Sequence, residues 1–376
     1  MELTRLATAQ WADPVLVTKN YSYRSGDFWL GRAADNSSIP LSYIDDRHIC
    51  LVSGNRGGKG ASIIINSLCL YPGSIVVVDP KGENATVTAA RRGEGSEHCK
   101  GLGQKVFVLD PFRTAQVEEK YRACFNPLDA IDLTGPTVLD EAGRIADAIV
   151  VMDKSSKDTF FDESAPSMIK GLILHVLTAK EFEAERNLVT VRNLITRGDW
   201  KAVELLKSIG EENISSGQEL LCEAVKNNPA LNGKVAGVGE SISGMLERSP
   251  KTFESVLQTV NRNTEFIDSP GMEECLSRSD FLLSDLKTDP RGVSVFLSLP
   301  QGDMNTHFRW LRMMISLIIR KMEQVKGQPV NGHRILMCLD EFAGLKRMTV
   351  IEDGVAQMAG YGVTLFFVLQ SLEQLK

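Results

Sequence analysis

Short apolar runs occur in the first third of the chain and again in its last quarter. They lack the polar alternation of a half-exposed strand, as is typical of parallel strands that helices cover on both faces. The runs predict buried strands at residues 49–52, 75–78, 106–109, 292–299, 334–339 and 363–369. Helix-like segments separate several of these runs, so the pattern predicts an α/β fold with a parallel sheet.

The middle of the chain differs, because its apolar positions recur almost entirely with helical spacing. We expect helices at residues 139–152, 167–179, 189–195, 200–209, 217–227, 238–246 and 252–263. This predicts an all-α domain inserted between two halves of a nucleotide-binding domain. The expected divisions are a lead-in over 1–46, a first half over 47–131, the inserted domain over 132–272, and a second half over 273–376 that looks short at its C-terminus.

A glycine-rich turn follows the first predicted strand, and a helix-like segment at 61–70 follows the turn. Glycines let successive backbone N–H groups curl towards an anion, and the helix N-terminus adds partial positive charge. Lys59 adds a full charge on a long side chain. We therefore interpret the turn as a phosphate-binding loop for a nucleoside triphosphate. Its candidate residues are Gly54, Asn55, Arg56, Gly57, Gly58, Lys59, Gly60, Ala61 and Ser62.

The loop departs from the usual pattern G-x-x-x-x-G-K-S/T at two positions. Ser53 stands where the first glycine belongs, and Gly60 stands where the Mg²⁺-binding hydroxyl belongs. Ser62 offers a hydroxyl nearby. A glycine-rich turn between a strand and a helix, with no ligand, is the alternative interpretation.

Polar residues end two of the predicted strands near the C-terminus. Asp340 and Glu341 follow the strand at 334–339, and Gln370 follows the strand at 363–369. In α/β sheets, ligands bind beyond the carboxyl ends of the strands. There Asp340 can hold Mg²⁺ through water, Glu341 can take a proton from the attacking water, and Gln370 can face the γ-phosphate. A surface acidic pair is the alternative for the two carboxylates.

Composition narrows the function classes. The net charge of −6 argues against a generally basic nucleic-acid binder, although a translocase can confine its DNA contacts to a pore. The seven cysteines form no C-x-x-C pair, which indicates reduced thiols in a cytosolic protein, and the five histidines show no metal spacing. No segment approaches the roughly 20 apolar residues that span a bilayer. We therefore expect a soluble, cytoplasmic chain.

Five ordered motifs resemble those of the coupling proteins of type IV secretion, the hexameric conjugative DNA-transfer ATPases of the TraG/VirD type. The resemblance covers most of residues 28–376 and is weakest in the helical middle. The motifs are NRGGKG, PGSIVVVDPKGEN, KVFVLDPF, FNPLDAI, and a closing block of LMCLDEFAGL, AGYG and FVLQSLEQL.

The resemblance implies a RecA-like P-loop NTPase that carries an inserted all-α domain for substrate recognition. ATP and Mg²⁺ would be its cofactors, with Lys59 on the phosphates, Asp340 on Mg²⁺, Glu341 as base and Gln370 as γ-phosphate sensor. Partners would be secretion-channel proteins at the inner membrane, relaxase or effector cargo, and DNA. The active form would be a hexamer.

Some implications stay open at this point. Asp79 and Lys81 lie in the DPKGE segment, where a strand-end turn and a functional role are both possible. Arg91 and Arg92 could touch DNA or form a solvated helix end. The family's two transmembrane helices are absent, which leaves peripheral attachment to the inner membrane open.

The one arginine after Glu341, Arg347, is too close to the acidic pair to act as an arginine finger. We therefore expect an isolated monomer with weak or no ATPase activity. The alternatives are an FtsK- or HerA-like DNA translocase and a non-motor cargo-docking adaptor.

Overall fold

A parallel β-sheet flanked by helices organises the chain in the computed structural model, which describes residues 12–33, 38–54, 56–151, 159–345 and 348–375. The strands are β1 (Phe28–Arg32), β2 (Pro40–Tyr43), β3 (Ile49–Val52), β4 (Ile75–Asp79), β5 (Gly95–Ser96), β6 (Cys99–Lys100), β7 (Lys105–Leu109), β8 (Val293–Ser298), β9 (Ile335–Leu339) and β10 (Val363–Leu369). The α-helices of the first part are α1 (Pro14–Tyr21), α2 (Ile65–Leu70) and α3 (Glu83–Arg92).

The remaining helices fall in the middle and at the end of the chain. They are α4 (Val138–Ile149), α5 (Thr159–Thr178), α6 (Leu188–Arg197), α7 (Trp200–Ser208), α8 (Gly217–Lys226), α9 (Ala230–Arg248), α10 (Pro250–Thr264), α11 (Pro270–Ser277), α12 (Asp285–Thr288), α13 (Met304–Gln324) and α14 (Thr349–Met358). Short 3-10 turns connect several of them.

The main sheet has six strands in the order β3-β10-β9-β4-β8-β7, and all neighbouring pairs are parallel. These are the six predicted strands, and each bound agrees with the prediction to within one residue. Every residue of β4, β8 and β9 is buried, which explains why these strands are continuous apolar runs. The prediction of a parallel α/β sheet is confirmed.

Two apolar cores cover the two faces of the sheet. On one face, α2 and α3 pack with Phe28 of the β1–β2 ribbon against β4, β9 and β10. On the other face lies α13, whose Trp310 is fully buried. This second core continues into the helical middle of the chain, because α4 packs on both α13 and α5.

All of the predicted helices of the middle region are present. Two of them begin well before their predicted starts, α5 at Thr159 and α9 at Ala230. The first turns of α9 include three residues with left-handed backbone, Leu231, Asn232 and Gly233, which apolar spacing could not reveal. The division into domains at residues 132 and 272 stays a prediction.

Arg92 contradicts both interpretations given to it above. Its side chain is fully buried at the end of α3, so it neither touches DNA nor forms a solvated helix end. Its guanidinium donates to carbonyl oxygens at the end of α2 and in the chain that follows it, to one side chain of β8, and to one side chain just before β7. These acceptors are the carbonyls of Leu68, Tyr71 and Gly73, Ser294 Oγ and Gln104 Oε1.

Among the helices in the described part of the chain, none has the length and apolar character needed to cross a membrane.

Candidate nucleotide-binding site

One cavity of about 280 Å³ opens at the carboxyl ends of the central strands. Three separate segments of the chain meet there. They are the glycine-rich loop with the helix after it, the turn that follows β4, and the acidic pair that follows β9. The lining residues are Arg56, Gly57, Gly58, Lys59, Gly60, Ala61, Ile64, Ile65, Asp79, Pro80, Lys81, Glu83, Asn84, Asp340 and Glu341.

The glycine-rich loop leaves β3 and turns sharply into a helix. The Ser53 N–H donates to the Leu369 carbonyl oxygen over 3.0 Å, which ties the start of the loop to β10. Gly58 has a φ of 77°, a left-handed conformation that glycine adopts without strain. A π-helical turn, Gly60–Ile64, then leads into α2. The N–H groups of a first helical turn have no partner within the helix, so they can bind an anion.

Most of the predicted loop residues that the structure describes reach the cavity, and two do not. Arg56 to Ala61 line it, whereas Gly54 and Ser62 are not among its lining residues. The Ser62 hydroxyl instead donates to the Gly58 carbonyl oxygen over 2.7 Å. Asn55 lies outside the described residues.

Asp340 and Glu341 form the wall contributed by β9. Burial raises the pKa of the Asp340 carboxyl, the nearby ammonium groups of Lys59 and Lys81 lower it, and the Glu341 charge raises it. Lys59 therefore lies within electrostatic reach of the acid predicted to hold Mg²⁺. Glu341 has a φ of 53°, and its N–H donates to Asp340 Oδ1 over 3.0 Å. Strained backbone of this kind clusters at functional sites.

Asp79 is a buried carboxyl beside the half-buried Asp340. The β4–β9 pairing of Val78 with Leu339 brings the two acids to the same edge of the sheet. Burial raises the pKa of Asp79 to about 6; hydrogen bonds to its carboxylate lower it, and the Asp340 charge raises it again. The Asp79 carboxylate accepts from Ala85 N over 2.8 Å and from Asn84 Nδ2 over 3.3 Å. In the sequence, Asp79 was noticed as the first residue of the DPKGE segment.

Gln370 follows β10, the strand between β3 and β9, so it lies at the edge of the sheet that carries the cavity. It is not among the residues that line the cavity. Its backbone N–H donates to Gln374 Oε1 over 2.7 Å. The role of γ-phosphate sensor stays a prediction.

The cavity suits a nucleotide with its Mg²⁺ better than a bare metal ion. No cluster of three or more His, Cys, Asp or Glu side chains able to hold a metal occurs among the residues that the structure describes. Mg²⁺ typically binds through one or two carboxylates together with substrate phosphates and water. Asp340 offers a carboxylate of the kind such a site requires, in a cavity lined also by Lys59 and the glycine-rich loop.

Known proteins resemble this chain over most of its length. A family model described as "Type IV secretory system Conjugative DNA transfer" matches residues 6–376. The conjugal transfer protein TraG of Escherichia coli is 27% identical over 349 residues, covering 91% of this chain and 51% of that protein. The type IV secretion system-coupling protein VirD4 of Bartonella quintana is 27% identical over 338 residues, covering 87% of this chain and 47% of that protein. The chain spans about half the length of the curated relatives it matches.

Solved structures show the same architecture. The unbound monoclinic form of the bacterial conjugative coupling protein TrwBdeltaN70 has a TM-score of 0.64 at 12% identity, covering 97% of this chain and 70% of that chain. The plasmid coupling protein TrwB in complex with ADP and Mg²⁺ has a TM-score of 0.63 at 12% identity, covering 97% of this chain and 72% of that chain. At this identity the likeness shows the fold alone, and it confirms the predicted RecA-like α/β architecture.

Proposed function

The chain belongs to the type IV secretory system conjugative DNA transfer family, and from that premise we propose that it is a coupling ATPase. It would recruit DNA–relaxase complexes or effector proteins to a type IV secretion channel and use ATP to do so. One observation carries this proposal. Three segments far apart in the sequence, which contribute Lys59, Lys81 and Glu341, converge on a single cavity at the carboxyl edge of a parallel sheet.

In this proposal, different residues of the cavity have different roles in ATP hydrolysis. Loop N–H groups and Lys59 hold the β- and γ-phosphates and keep the γ-phosphorus in line with an attacking water. Glu341 takes a proton from that water as its oxygen bonds to phosphorus and the bond to the β–γ bridging oxygen breaks. Asp340 would hold Mg²⁺ through water, and bound Mg²⁺ neutralises charge on the phosphate oxygens.

Two substitutions test the proposal. Lys59→Ala should abolish nucleotide binding and hydrolysis together, because it removes the phosphate cation. Glu341→Gln should abolish hydrolysis and leave Mg-ATP binding, since it removes only the base. Release of inorganic phosphate and equilibrium binding of Mg-ATP are the two measurements. A purified protein that binds Mg-ATP but never hydrolyses it, even at high concentration with DNA present, would contradict the motor function.

We assign cargo recognition to the helical region at 132–272, and we expect secretion-channel proteins at the inner membrane as further partners. The active assembly would be a homo-hexamer. Substitutions on exposed faces of this region should change which relaxase or effector is retained and leave nucleotide binding intact. If nucleotide binding is lost as well, the domain division is wrong, or the core shared by α4 and α13 links the two parts too closely for independent function.

A nucleotide-binding docking adaptor without motor activity is the second candidate. The observation on its side is that Gln370, the predicted γ-phosphate sensor, is not among the residues that line the cavity. If Lys59→Ala retains relaxase or effector cargo as well as the wild type does, the adaptor is favoured. Cargo retention that requires bound nucleotide would favour the coupling ATPase.

A further inference from the structure

Several contacts hold the turn between β4 and α3 in one conformation, and the Lys81 side chain takes part in none of them. Gly82 has a φ of 65°, and a Cβ at this position would lie 2.6 Å from the Ala115 backbone nitrogen. The Asp79 carboxylate accepts from Ala85 N at the start of α3. Thr86 Oγ1 accepts from Gln116 N over 2.9 Å. These contacts explain Asp79, Gly82 and Thr86 as structural residues of a rigid turn, but they do not explain Lys81.

Lys81 is exposed, lines the cavity, and makes no hydrogen bond or ion pair with another of the described residues. Its charge nevertheless lowers the pKa of the Asp340 carboxyl, so the two side chains lie within electrostatic reach of each other in the cavity lining. An exposed, unpaired lysine contributes little to stability. The turn therefore presents to the cavity a cation that the fold itself does not require.

The charges of the cavity lining show what this cation can do. Four carboxylates, those of Asp79, Glu83, Asp340 and Glu341, face three cations, Arg56, Lys59 and Lys81. A triphosphate that enters this cavity brings further negative charge. Without Lys81 only two cations would remain, and both belong to the loop wall. The wall formed by residues 79–84 would then present only negative charge to the terminal phosphate.

We propose that Lys81 is a second phosphate-binding cation, which contacts the terminal phosphate of a nucleoside triphosphate from the wall formed by residues 79–84. The proposal rests on the nucleotide-binding function proposed above. It adds a residue whose contact distinguishes a triphosphate from a diphosphate. Lys59 and the loop N–H groups hold a diphosphate and a triphosphate alike. Lys81 strengthens binding only when the third phosphate is present, and it thereby favours exchange of diphosphate for triphosphate.

Binding of two probes to the whole chain tests this role. The probes are a non-hydrolysable ATP analogue with Mg²⁺ and ADP with Mg²⁺, measured by titration calorimetry. Lys81→Met should weaken triphosphate binding about tenfold, the scale of one hydrogen bond to a charged group, and diphosphate binding by less than about threefold. Lys81→Arg should restore most of the loss. Lys100→Met, which removes an exposed lysine from β6 outside the cavity, should change neither affinity.

The outcomes separate this inference from the function on which it rests. Equal weakening of both probes by Lys81→Met, or weakening of neither, overturns the role of Lys81. If the wild-type chain binds neither probe, or if Lys59→Ala binds both as well as wild type does, the nucleotide-binding function itself fails. Unfolding midpoints should be the same for wild type and Lys81→Met, because Lys81 is exposed. A shifted midpoint together with equal losses would show a structural role instead.

Discussion

Asp79 shows how one buried carboxyl at the site makes stability depend on pH. Its pKa in the folded protein is about 6, above the ordinary 3.8, so the folded state binds the proton more tightly than the unfolded state does. The folded state is therefore favoured below about pH 4 and loses this advantage as pH rises through about 6. At neutral pH the ionised carboxylate costs up to about 3 kcal/mol relative to a neutral group.

Asp79→Asn should remove this dependence. Relative to the variant, the wild type should lose up to about 3 kcal/mol of unfolding free energy between about pH 4 and pH 7. Urea denaturation of both proteins across this range measures the difference. In an Asp340→Asn background the loss should shift to lower pH, because the neighbouring charge that raises the Asp79 pKa is gone. A constant difference between wild type and Asp79→Asn at all pH values would contradict this account.

Glu341 combines a proposed catalytic carboxylate with a left-handed backbone, since its φ is 53°. Left-handed conformation costs a residue with a Cβ about 1 kcal/mol or more, and glycine avoids most of that cost. Glu341→Gly should therefore abolish hydrolysis and raise the unfolding free energy by about 1 kcal/mol. Glu341→Ala is the matched control, because it also lacks the carboxylate but keeps the Cβ. Equal stability of the two variants would show that the backbone of Glu341 is not strained.

At the scale of elements, Arg92 joins the end of α3 to the sheet and to the chain between α2 and β4. Burial lowers its pKa to about 9, and its donors reach three carbonyls, a serine and a glutamine. Arg92→Ala leaves several buried acceptors without a donor, each worth about 1–3 kcal/mol. We expect a loss of roughly 3–5 kcal/mol in chemical denaturation, because several such acceptors lose their donor at once.

The neighbouring arginine is the matched control for this prediction. Arg91 is only half-buried and donates to the carbonyl oxygens of Cys69 and Lys100. Arg91→Ala should cost about 1 kcal/mol, the net value of typical hydrogen bonds near the surface. Arg92→Lys should also be strongly destabilising, because an ammonium group lacks the planar fork of the guanidinium. Losses of similar size for Arg91→Ala and Arg92→Ala would contradict the structural role of Arg92.

The elements that the sequence predicted well are those whose pattern is local. The apolar runs that became β4, β8 and β9 were located to within one residue, because a strand buried on both faces must be continuously apolar. The left-handed residues of α9 and the burial of Arg92 could not be predicted. Arg92 is buried by acceptors as distant in the chain as Ser294, and no local pattern carries that information.

The site divides in the same way. The loop around Lys59 and the acidic pair that begins at Asp340 were predicted from their residue types, because each follows a predicted strand. The parallel sheet then brings the carboxyl ends of these strands to one edge. The side chains that finally face the cavity depend on local turns. Gly54 and Ser62 were expected there and lie outside the lining, whereas Lys81 lies within it.

At the scale of the whole molecule, direct contacts connect the cavity to the helical region. Arg312 of α13 donates to the Leu345 carbonyl oxygen over 3.1 Å, four residues beyond Glu341. The helix α13 in turn packs on α4, which packs on α5. A contiguous set of contacts therefore connects the acidic end of β9 to the helices that we assign to cargo recognition. Contiguity of this kind permits cargo and nucleotide to influence each other, and coupled binding measurements would establish whether they do.

We expect ATP hydrolysis at the site to depend on the assembly of several chains into a ring. In RecA-like rings the nucleotide lies between subunits, and a neighbour often completes the site. Within the described residues, the only arginine in the cavity lining is Arg56 of the loop itself, and Arg347 lies outside the described part of the chain. Phosphate contacts can bind nucleotide without hydrolysis, because hydrolysis needs groups aligned on the transition state. We therefore expect a dilute monomer that binds nucleotide through Lys59 and hydrolyses it weakly or not at all.

Turnover per chain should rise with protein concentration, and DNA or a membrane partner should shift that rise to lower concentration by favouring the ring. Light scattering and phosphate release on the same samples test both statements together. Lys59→Ala is the control, because it should show no turnover at any concentration. A dilute monomer that hydrolyses ATP at about 1–100 per second, the range typical of kinases, would contradict the expectation. Turnover of that size would mean that one chain already holds every group the reaction needs.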